Sequence, residues 1–191
     1  MFRKFAILCT VLIVAIILAA GSAWVMVLHG PSATAVAVGP WRMSTVAGSV
    51  DADMYTRARV AITGLFALNP NETLYFEAST DDTGKRLRAG CAYQVEGATL
   101  PARWWSVTAY ADDFFLIANP INRFSFNMGN VGLVDGRFSF VAAATEQTGK
   151  WLPTGAGGFR LIVRLYNPHP SVVENPGRIR LPSIRAAGNC T

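Results

Sequence analysis

The sequence predicts a mainly β protein, an antiparallel β-sandwich of jelly-roll type with one N-terminal amphipathic helix and a single transmembrane helix ahead of it. Several short segments alternate apolar and polar residues and are separated by turn residues, which is typical of a sandwich. Helical periodicity occurs before these segments and not after them. With 191 residues, 51% of them hydrophobic and 15% charged, the chain has enough apolar material for one packed domain and an appendage.

The N-terminal segment has the length and composition of a membrane helix. Residues 5–28 contain no charged side chain, and at about 1.5 Å per residue such a helix spans the roughly 30 Å hydrocarbon layer. Arg3 and Lys4 precede it, and the next charge is Arg42. The positive-inside rule therefore predicts a cytoplasmic N-terminus over residues 1–4, a signal-anchor helix, and an exported remainder.

The alternative for this segment is a cleaved signal peptide. Gly21-Ser22-Ala23 supplies the small residues that signal peptidase prefers at its cleavage site. The apolar run nevertheless continues to Leu28 and exceeds the roughly 7–15 residues of a signal-peptide core, which favours the anchor. Under both interpretations the following domain is exported.

The cysteines agree with an exported domain. Cys9 lies inside the membrane segment, so Cys91 and Cys190 can pair only with each other. An oxidising compartment then predicts a Cys91–Cys190 disulfide that ties the C-terminal tail to the domain, worth about 4 kcal/mol in the loop-entropy account. The alternative is two unpaired thiols.

A spacer and then a helix are expected after the anchor. Residues 29–49 are rich in small and turn-forming residues and are predicted to be a linker, which leaves 50–191 as the exported β-sandwich domain. Within residues 51–67 apolar positions recur at helical spacing, and Asp51 and Asp53 stand where an N-cap and a first-turn acid belong. We therefore expect one amphipathic helix at the start of the domain.

From residue 73 onward the apolar period changes to two, which indicates half-buried strands. The expected strands are residues 74–79, 105–110, 131–134, 137–140 and 159–166. Asp135-Gly136 separates the third strand from the fourth, and a type I′ hairpin turn favours this pair. In the last strand Arg160 and Arg164 alternate with apolar residues, so both arginines are predicted on the face away from the core.

Four separated blocks of residues resemble a known family. They are Asn69-Pro70-Asn71-Glu72-Thr73-Leu74-Tyr75-Phe76, Trp104-Trp105-Ser106-Val107-Thr108-Ala109-Tyr110, Asn119-Pro120-Ile121-Asn122-Arg123-Phe124-Ser125, and Trp151-Leu152-Pro153 followed by Arg164-Leu165-Tyr166. With these blocks, roughly residues 51–170 resemble the bacterial family called domain of unknown function 1214. The resemblance implies a β-rich, jelly-roll-like domain, here without the partner domain that often precedes it, and an uncharacterised function. It supplies no catalytic residues.

In a bacterium, the predicted topology is that of a single-pass inner-membrane protein with a cytoplasmic N-terminus and a periplasmic C-terminal domain. Residues for catalysis are scarce in it. The histidines are His29, beside the membrane, and His169, between two prolines, so we expect no metal site and no cofactor. Ser106, His169 and Asp112 have the composition of a hydrolase triad. Ser106, however, lies in the middle of a strand without a Gly-x-Ser-x-Gly elbow, which favours a structural role.

Two sets of side chains are candidates for function. Aromatic and cationic residues on one sheet face would offer stacking surfaces and fork-shaped donors to a sugar, a carboxylate or an anionic head group. This set is Trp104, Tyr110, Arg123, Arg164 and Tyr166, and a structural arginine network is its alternative explanation. The second set consists of acids that could meet at the separation of a glycosidase pair. Its members are Glu77, Glu96, Asp112, Asp113 and Glu146.

The sequence therefore favours a membrane-anchored cell-envelope protein that binds or scaffolds a glycan, lipid or protein partner without catalysis. The alternative is a carboxylate-dependent hydrolase that acts on envelope carbohydrate. A nucleic-acid partner is not expected, because the sequence has no recognition motif and the domain is exported.

Overall fold

The described part of the chain forms an apolar helix followed by a two-sheet β-domain. The structure, a computed structural model, describes residues 2–29, 35–64, 67–188 and 190. In chain order the elements are α1 (Phe2–His29), β1 (Ala35–Val38), β2 (Trp41–Ser44), α2 (Met54–Thr63), β3 (Thr73–Ala78), β4 (Tyr93–Ala98), β5 (Ala102–Ala111), β6 (Ser125–Asn127), β7 (Arg137–Ala143), β8 (Trp151–Pro153), β9 (Phe159–Pro168), α3 (Pro170–Glu174), a 3-10 turn (Pro176–Arg178) and β10 (Ser183–Ala186).

Within these ranges the strands form a six-stranded sheet in the order β1-β2-β3-β9-β5-β6 and a four-stranded sheet in the order β10-β4-β7-β8. Neighbouring strands are antiparallel except β7 and β8, which are parallel. Aromatic rings from the two sheets meet between them. Trp105 lies 4.8 Å from Phe138 and Tyr93 lies 5.6 Å from Phe159, measured between ring centroids. The predicted mainly β sandwich is confirmed.

Strand β9 shows how the sequence builds the six-stranded sheet. Its apolar residues Leu161, Val163 and Leu165 are fully buried in the core, and the intervening side chains point to the opposite face because strand residues alternate. We call that opposite face the outer face. It carries Arg160 and Arg164, as the sequence predicts.

Residues 29–49 are not a simple spacer, and this prediction differs from the structure. Residues 30–34 lie outside the described residues, but β1 and β2 follow them and join the six-stranded sheet beside β3. Trp41 is 1% exposed, and its indole N–H donates to the carbonyl of Pro182 at 2.7 Å. The folded unit therefore includes residues before Val50. Because β1 consists of alanine and valine, its sequence lacks the alternation of polar and apolar residues that predicts a strand.

Helix α2 is shorter and less amphipathic than predicted. Asp53 is its N-cap, accepting from the backbone N–H groups of Tyr55 at 2.8 Å and Thr56 at 3.0 Å, so Asp51 lies outside the helix. The predicted apolar position Met54 is 75% exposed. Residues 65–66, which include the predicted apolar position Leu65, lie outside the described residues. Gly64 ends the helix in a left-handed conformation.

The predicted hairpin around Asp135-Gly136 is confirmed as a turn but not as a pair of strands. Both residues have positive φ, 49° and 70°, as a type I′ turn requires. Residues 131–134 form only a single bridge, between Val134 and Arg137. Gly132, with φ of 65°, interrupts the extended conformation, and Val131 is buried in the core. Strand β7 pairs instead with β4 and β8.

The predicted disulfide is present. Cys91 and Cys190 are bonded with their Cα atoms 4.5 Å apart, and Cys9 is a free cysteine of α1. The bond fixes the segment after β10 to the segment before β4. Because disulfides persist in oxidising compartments, it indicates that the domain folds in one.

Helix α1 is apolar after Arg3 and Lys4 in its first turn. Phe2–Leu28 is long and apolar enough to cross a membrane, and a signal sequence would meet the same criterion. Most of its apolar side chains are exposed. The structure thus supports an N-terminal helix that serves as a membrane anchor or as a signal sequence.

Asp81, in the turn after β3, makes stability dependent on pH. Its carboxylate is 3% exposed and accepts hydrogen bonds from the Thr83 backbone, the Thr83 hydroxyl and the Lys85 backbone at 2.7–3.0 Å. Burial by itself raises the pKa of Asp81, but the Thr83 hydroxyl and these backbone N–H groups outweigh burial. The net pKa lies below its ordinary value of 3.8.

A lowered pKa in the folded state means that the unfolded chain binds more protons, so stability is lost as pH falls below 3.8. We expect Asp81→Asn to cost about 1 kcal/mol at neutral pH and progressively less as the pH falls below 3.8. Urea unfolding across this range measures the effect. The exposed turn variant Asp135→Asn is the control, and equal pH profiles for the two variants would contradict the prediction.

Candidate functional site

The outer face of the six-stranded sheet carries a group of aromatic residues around one arginine. Arg164 of β9 donates from Nη2 to the hydroxyl of Tyr110 at 2.6 Å and from Nη1 to the hydroxyl of Thr108 at 3.3 Å. Its guanidinium carbon lies 5.2 Å from the ring centroid of Tyr110 and 5.8 Å from that of Tyr75. These distances place the cation between two aromatic rings, within cation–π range.

Trp104, near the start of β5, and Tyr166, near the end of β9, continue this group. They are partners in the strand register, and their rings meet edge to face with centroids 5.2 Å apart. Burial raises the pKa of the Tyr166 phenol, so its hydroxyl stays protonated and can donate a hydrogen bond. We call Arg164, Tyr75, Tyr110, Trp104 and Tyr166 the aromatic–arginine cluster.

The structure brings four of the five predicted binding residues together and leaves Arg123 apart. Arg123 donates from Nη1 to the carbonyl of Trp151 at 2.9 Å, and its guanidinium lies 5.4 Å from the Phe126 ring. The Asn119 side chain also accepts from its backbone N–H at 2.9 Å. Arg123 therefore fastens a loop to β8. The prediction missed Tyr75, whose outward position follows from the alternation in β3.

Two of the predicted acids, Glu77 and Asp112, are bound by the same arginine. Arg160 binds Glu77 through Nη1 and lies 3.6 Å from Asp112 through Nη2, and Arg86 also binds Asp112 at 2.9 Å. The Arg160 guanidinium stacks on Phe114 at 3.8 Å and its side chain is 12% exposed. Both carboxylates thus belong to an ion-pair network with Arg160 and Arg86.

The other predicted acids lie elsewhere. Glu96 is in β4 of the four-stranded sheet, Asp113 accepts from the backbone of Phe115 at 3.0 Å, and Glu146 is exposed. His169 caps α3: its Nδ1 accepts from the backbone N–H of Ser171 at 3.4 Å and also contacts the Ser171 hydroxyl at 2.8 Å. In the described part of the chain, no group of three or more His, Cys, Asp or Glu residues is placed to hold a metal ion.

A cavity of about 700 Å³ lies between the outer face and α2, and the C-terminal end of α1 closes one side. We call it the helix cavity. Its volume falls within the roughly 300–1,000 Å³ of typical ligand sites. Its apolar wall includes Met26 and Val27 of α1, Val60 of α2 and Ile162 of β9. Ile162 points away from the core yet is 1% exposed, which shows that the outer face is covered here.

Polar residues also line the helix cavity. The Thr73 hydroxyl is buried and has no hydrogen-bond partner among the described residues, and Thr73 lines the cavity. Asp53, the N-cap of α2, also lines the cavity. Its pKa is lowered, first by the hydrogen bond from the Thr56 hydroxyl and next by the hydrogen bond from the Thr56 backbone N–H. A lowered pKa is the wrong direction for a general acid at neutral pH. The helix cavity thus combines a mostly apolar wall with a few polar groups.

The fold and site define a two-sheet β-domain that follows an apolar helix and carries a cavity on one sheet face. The family model described as "Protein of unknown function (DUF1214)" matches residues 72–170. The chain belongs to this family, as its four sequence blocks predict.

Two solved structures resemble the chain. The VPA0106 protein of Vibrio parahaemolyticus is 24% identical with a TM-score of 0.60, over 72% of this chain and 36% of that one. This chain therefore spans about a third of that protein, and the likeness shows the fold alone. A putative uncharacterized protein of Burkholderia cenocepacia is 16% identical with a TM-score of 0.38, over 60% of this chain and 29% of that one. No curated protein matches the chain in sequence.

Proposed function

We propose that this protein is a non-catalytic binding module, anchored at the outer face of a bacterial inner membrane, that holds the apolar chain of a lipid-like molecule in the helix cavity. The observation that carries the proposal is the cavity itself. It is large enough for a ligand, mostly apolar, and walled in part by the last residues of the apolar helix.

The position of the cavity favours a ligand from the membrane. Met26 and Val27 belong both to its wall and to the end of the apolar segment Phe2–Leu28. With Arg3 and Lys4 on the cytoplasmic side, this end lies at the outer leaflet. Cleavage at Gly21-Ser22-Ala23 would leave Met26 and Val27 on the mature chain but remove the anchor, so the membrane origin of the ligand rests on the anchor interpretation.

The polar groups of the cavity favour binding over turnover. Glu77, which lines it, is paired with Arg160, and Asp53 is held by the first turn of α2. Both carboxylates are already bound by groups of the protein, whereas a glycosidase needs one carboxyl group that can give a proton to the leaving group. Thr73, which also lines the cavity, is uncharged and supplies neither an acid nor a base.

Photolabelling tests this proposal. The full chain in phosphatidylcholine nanodiscs is irradiated with a long-chain fatty alcohol that carries a diazirine, and labelled peptides are mapped by mass spectrometry. We expect labels on α2 and β3 in addition to α1, which meets lipid in any case and serves as the internal reference. Val60→Trp, which fills the cavity from α2, should remove most labelling of β3.

Ile62→Trp is the matched control for this experiment. Ile62 lies on the same helix, two residues away, is 48% exposed and does not line the cavity. It adds the same side chain without filling the cavity, so labelling of β3 should persist. Labels confined to α1, or equal loss in both variants, would contradict the proposed function.

A further inference from the structure

We infer that the aromatic–arginine cluster is the head-group half of the same site, and that the ligand is an amphiphile with an anionic oxygen head group, a carboxylate or a phosphate. This inference rests on the proposed function, because it assigns the head of the molecule whose chain the helix cavity would hold.

The two halves share Tyr75. This residue lines the helix cavity, and its ring lies 5.8 Å from the Arg164 guanidinium. Tyr75 and Arg164 are also register partners on adjacent strands. Ile162 of the cavity wall precedes Arg164 by two residues on the same face, a distance of about 7 Å along the strand. A chain that lies over Ile162 therefore ends beside Arg164.

The charge of Arg164 is not neutralised by the described part of the chain. Its hydrogen bonds go to the hydroxyls of Tyr110 and Thr108, and no carboxylate forms an ion pair with it there. Arg160 provides the comparison, because it lies on the same strand and face and is bound by Glu77 and Asp112. A half-buried guanidinium without an anion pays a desolvation cost that a bound anion would offset.

The surrounding groups suit an oxyanion. The planar guanidinium has N–H groups beyond the two bonded to hydroxyls, and fork-shaped donation to carboxylate or phosphate is its strongest interaction. Tyr110 accepts from Arg164, so its own hydroxyl hydrogen can be donated to a ligand oxygen. Trp104 and Tyr166 flank the same face with their rings in contact, and Tyr166 adds a second phenol.

A matched pair of competitors tests the inference in the photolabelling assay. A fatty acid and a fatty alcohol of equal chain length, neither photoreactive, are compared by the concentration that halves labelling of β3. At a pH where the acid is ionised, we expect the acid to compete at about tenfold lower concentration, since charge-assisted hydrogen bonds add to the same apolar contact. Arg164→Gln should abolish this difference and leave competition by the alcohol unchanged.

Two further variants keep the test decisive. Tyr110→Phe keeps the ring and removes one donor, so the preference for the acid should fall severalfold, even if Arg164→Gln does not fold. Arg103→Gln removes the same charge from an exposed residue that precedes Trp104 and points to the other side of β5, and it should behave as wild type.

The outcomes separate the two proposals. Equal competition by acid and alcohol in the wild type would overturn the head-group inference and leave the apolar cavity in place. The inference would also be overturned if acetate or inorganic phosphate, added at the same concentration as the fatty acid, removed the preference for acid over alcohol. The cluster would then bind a free anion. If neither amphiphile reduces labelling of β3, the proposed function fails and the inference fails with it.

Discussion

Cys190→Ser is expected to lower the free energy of unfolding by about 4 kcal/mol. The Cys91–Cys190 bond joins residues 99 positions apart, and closing a loop of that size removes much of the conformational entropy of the unfolded chain. Typical domains are stable by about 5–15 kcal/mol, so the variant would lose a large share of its stability. The bond also holds β10 against β4, where Ile184 is fully buried opposite Val95.

Chemical unfolding of the full chain in nanodiscs, followed by tryptophan fluorescence, measures this loss. Cys9→Ser is the matched control, because Cys9 is a free cysteine in α1 and the same atoms change. Its unfolding curve should coincide with that of the wild type. Wild type with a reductant should resemble Cys190→Ser. If Cys190→Ser and Cys9→Ser unfold alike, the disulfide does not form in the protein.

The sequence predicted those elements whose apolar periodicity is complete within a short window. Over most of strands β3, β5 and β9 every second residue is apolar and faces the core, and residues 5–28 of α1 carry no charge. The disulfide followed from elimination, since Cys9 lies within that uncharged segment. The acidic residues Asp51 and Asp53 indicated that a helix starts here, but the structure places the N-cap at Asp53, two residues later than predicted.

Elements that depend on distant partners were not predictable in this way. Strand β8 is three residues long and ends at Pro153, and β10 is four residues held by pairing with β4. Strand β1 consists of alanine and valine, so small and larger apolar residues replace the polar and apolar pattern. Composition alone assigned this region to a spacer, because Ala, Gly, Ser and Thr also make up linkers.

The same distinction, between residues placed by a local pattern and residues placed by distant contacts, applies to the candidate site. Alternation in β5 and β9 places Trp104, Tyr110, Arg164 and Tyr166 on one face, so their association was predictable from the sequence. Arg123 lies in a loop, where no alternation fixes the direction of a side chain, and its guanidinium binds the carbonyl of Trp151 instead. The helix cavity arises from the packing of α2 and the end of α1 on the outer face. A contact between separate elements leaves no periodic pattern in the sequence of either one, so the cavity could not be predicted from such patterns.

Trp41→Ala is expected to cost about 3–5 kcal/mol, because it removes a large buried side chain and leaves a cavity. Trp41 is 1% exposed in the core, and its indole N–H donates to the Pro182 carbonyl, 141 residues away in the chain. That bond connects β2 to the segment that leads into β10. Trp41→Phe should cost less, since it keeps an aromatic ring and loses mainly the hydrogen bond, worth about 1 kcal/mol.

Trp24→Ala provides the matched control in the same unfolding measurement. Trp24 lies in α1 and is 59% exposed, so its loss should leave the stability of the β-domain unchanged. A large effect at Trp41 and none at Trp24 would mean that the residues of β1 and β2 are part of the folded unit, and that the domain begins before Val50. Equal, small effects would instead return residues 29–49 to the role of a spacer. In that case β2 would not hold Arg42 beside Glu77 at the wall of the helix cavity, and the cavity would lose one of its sides.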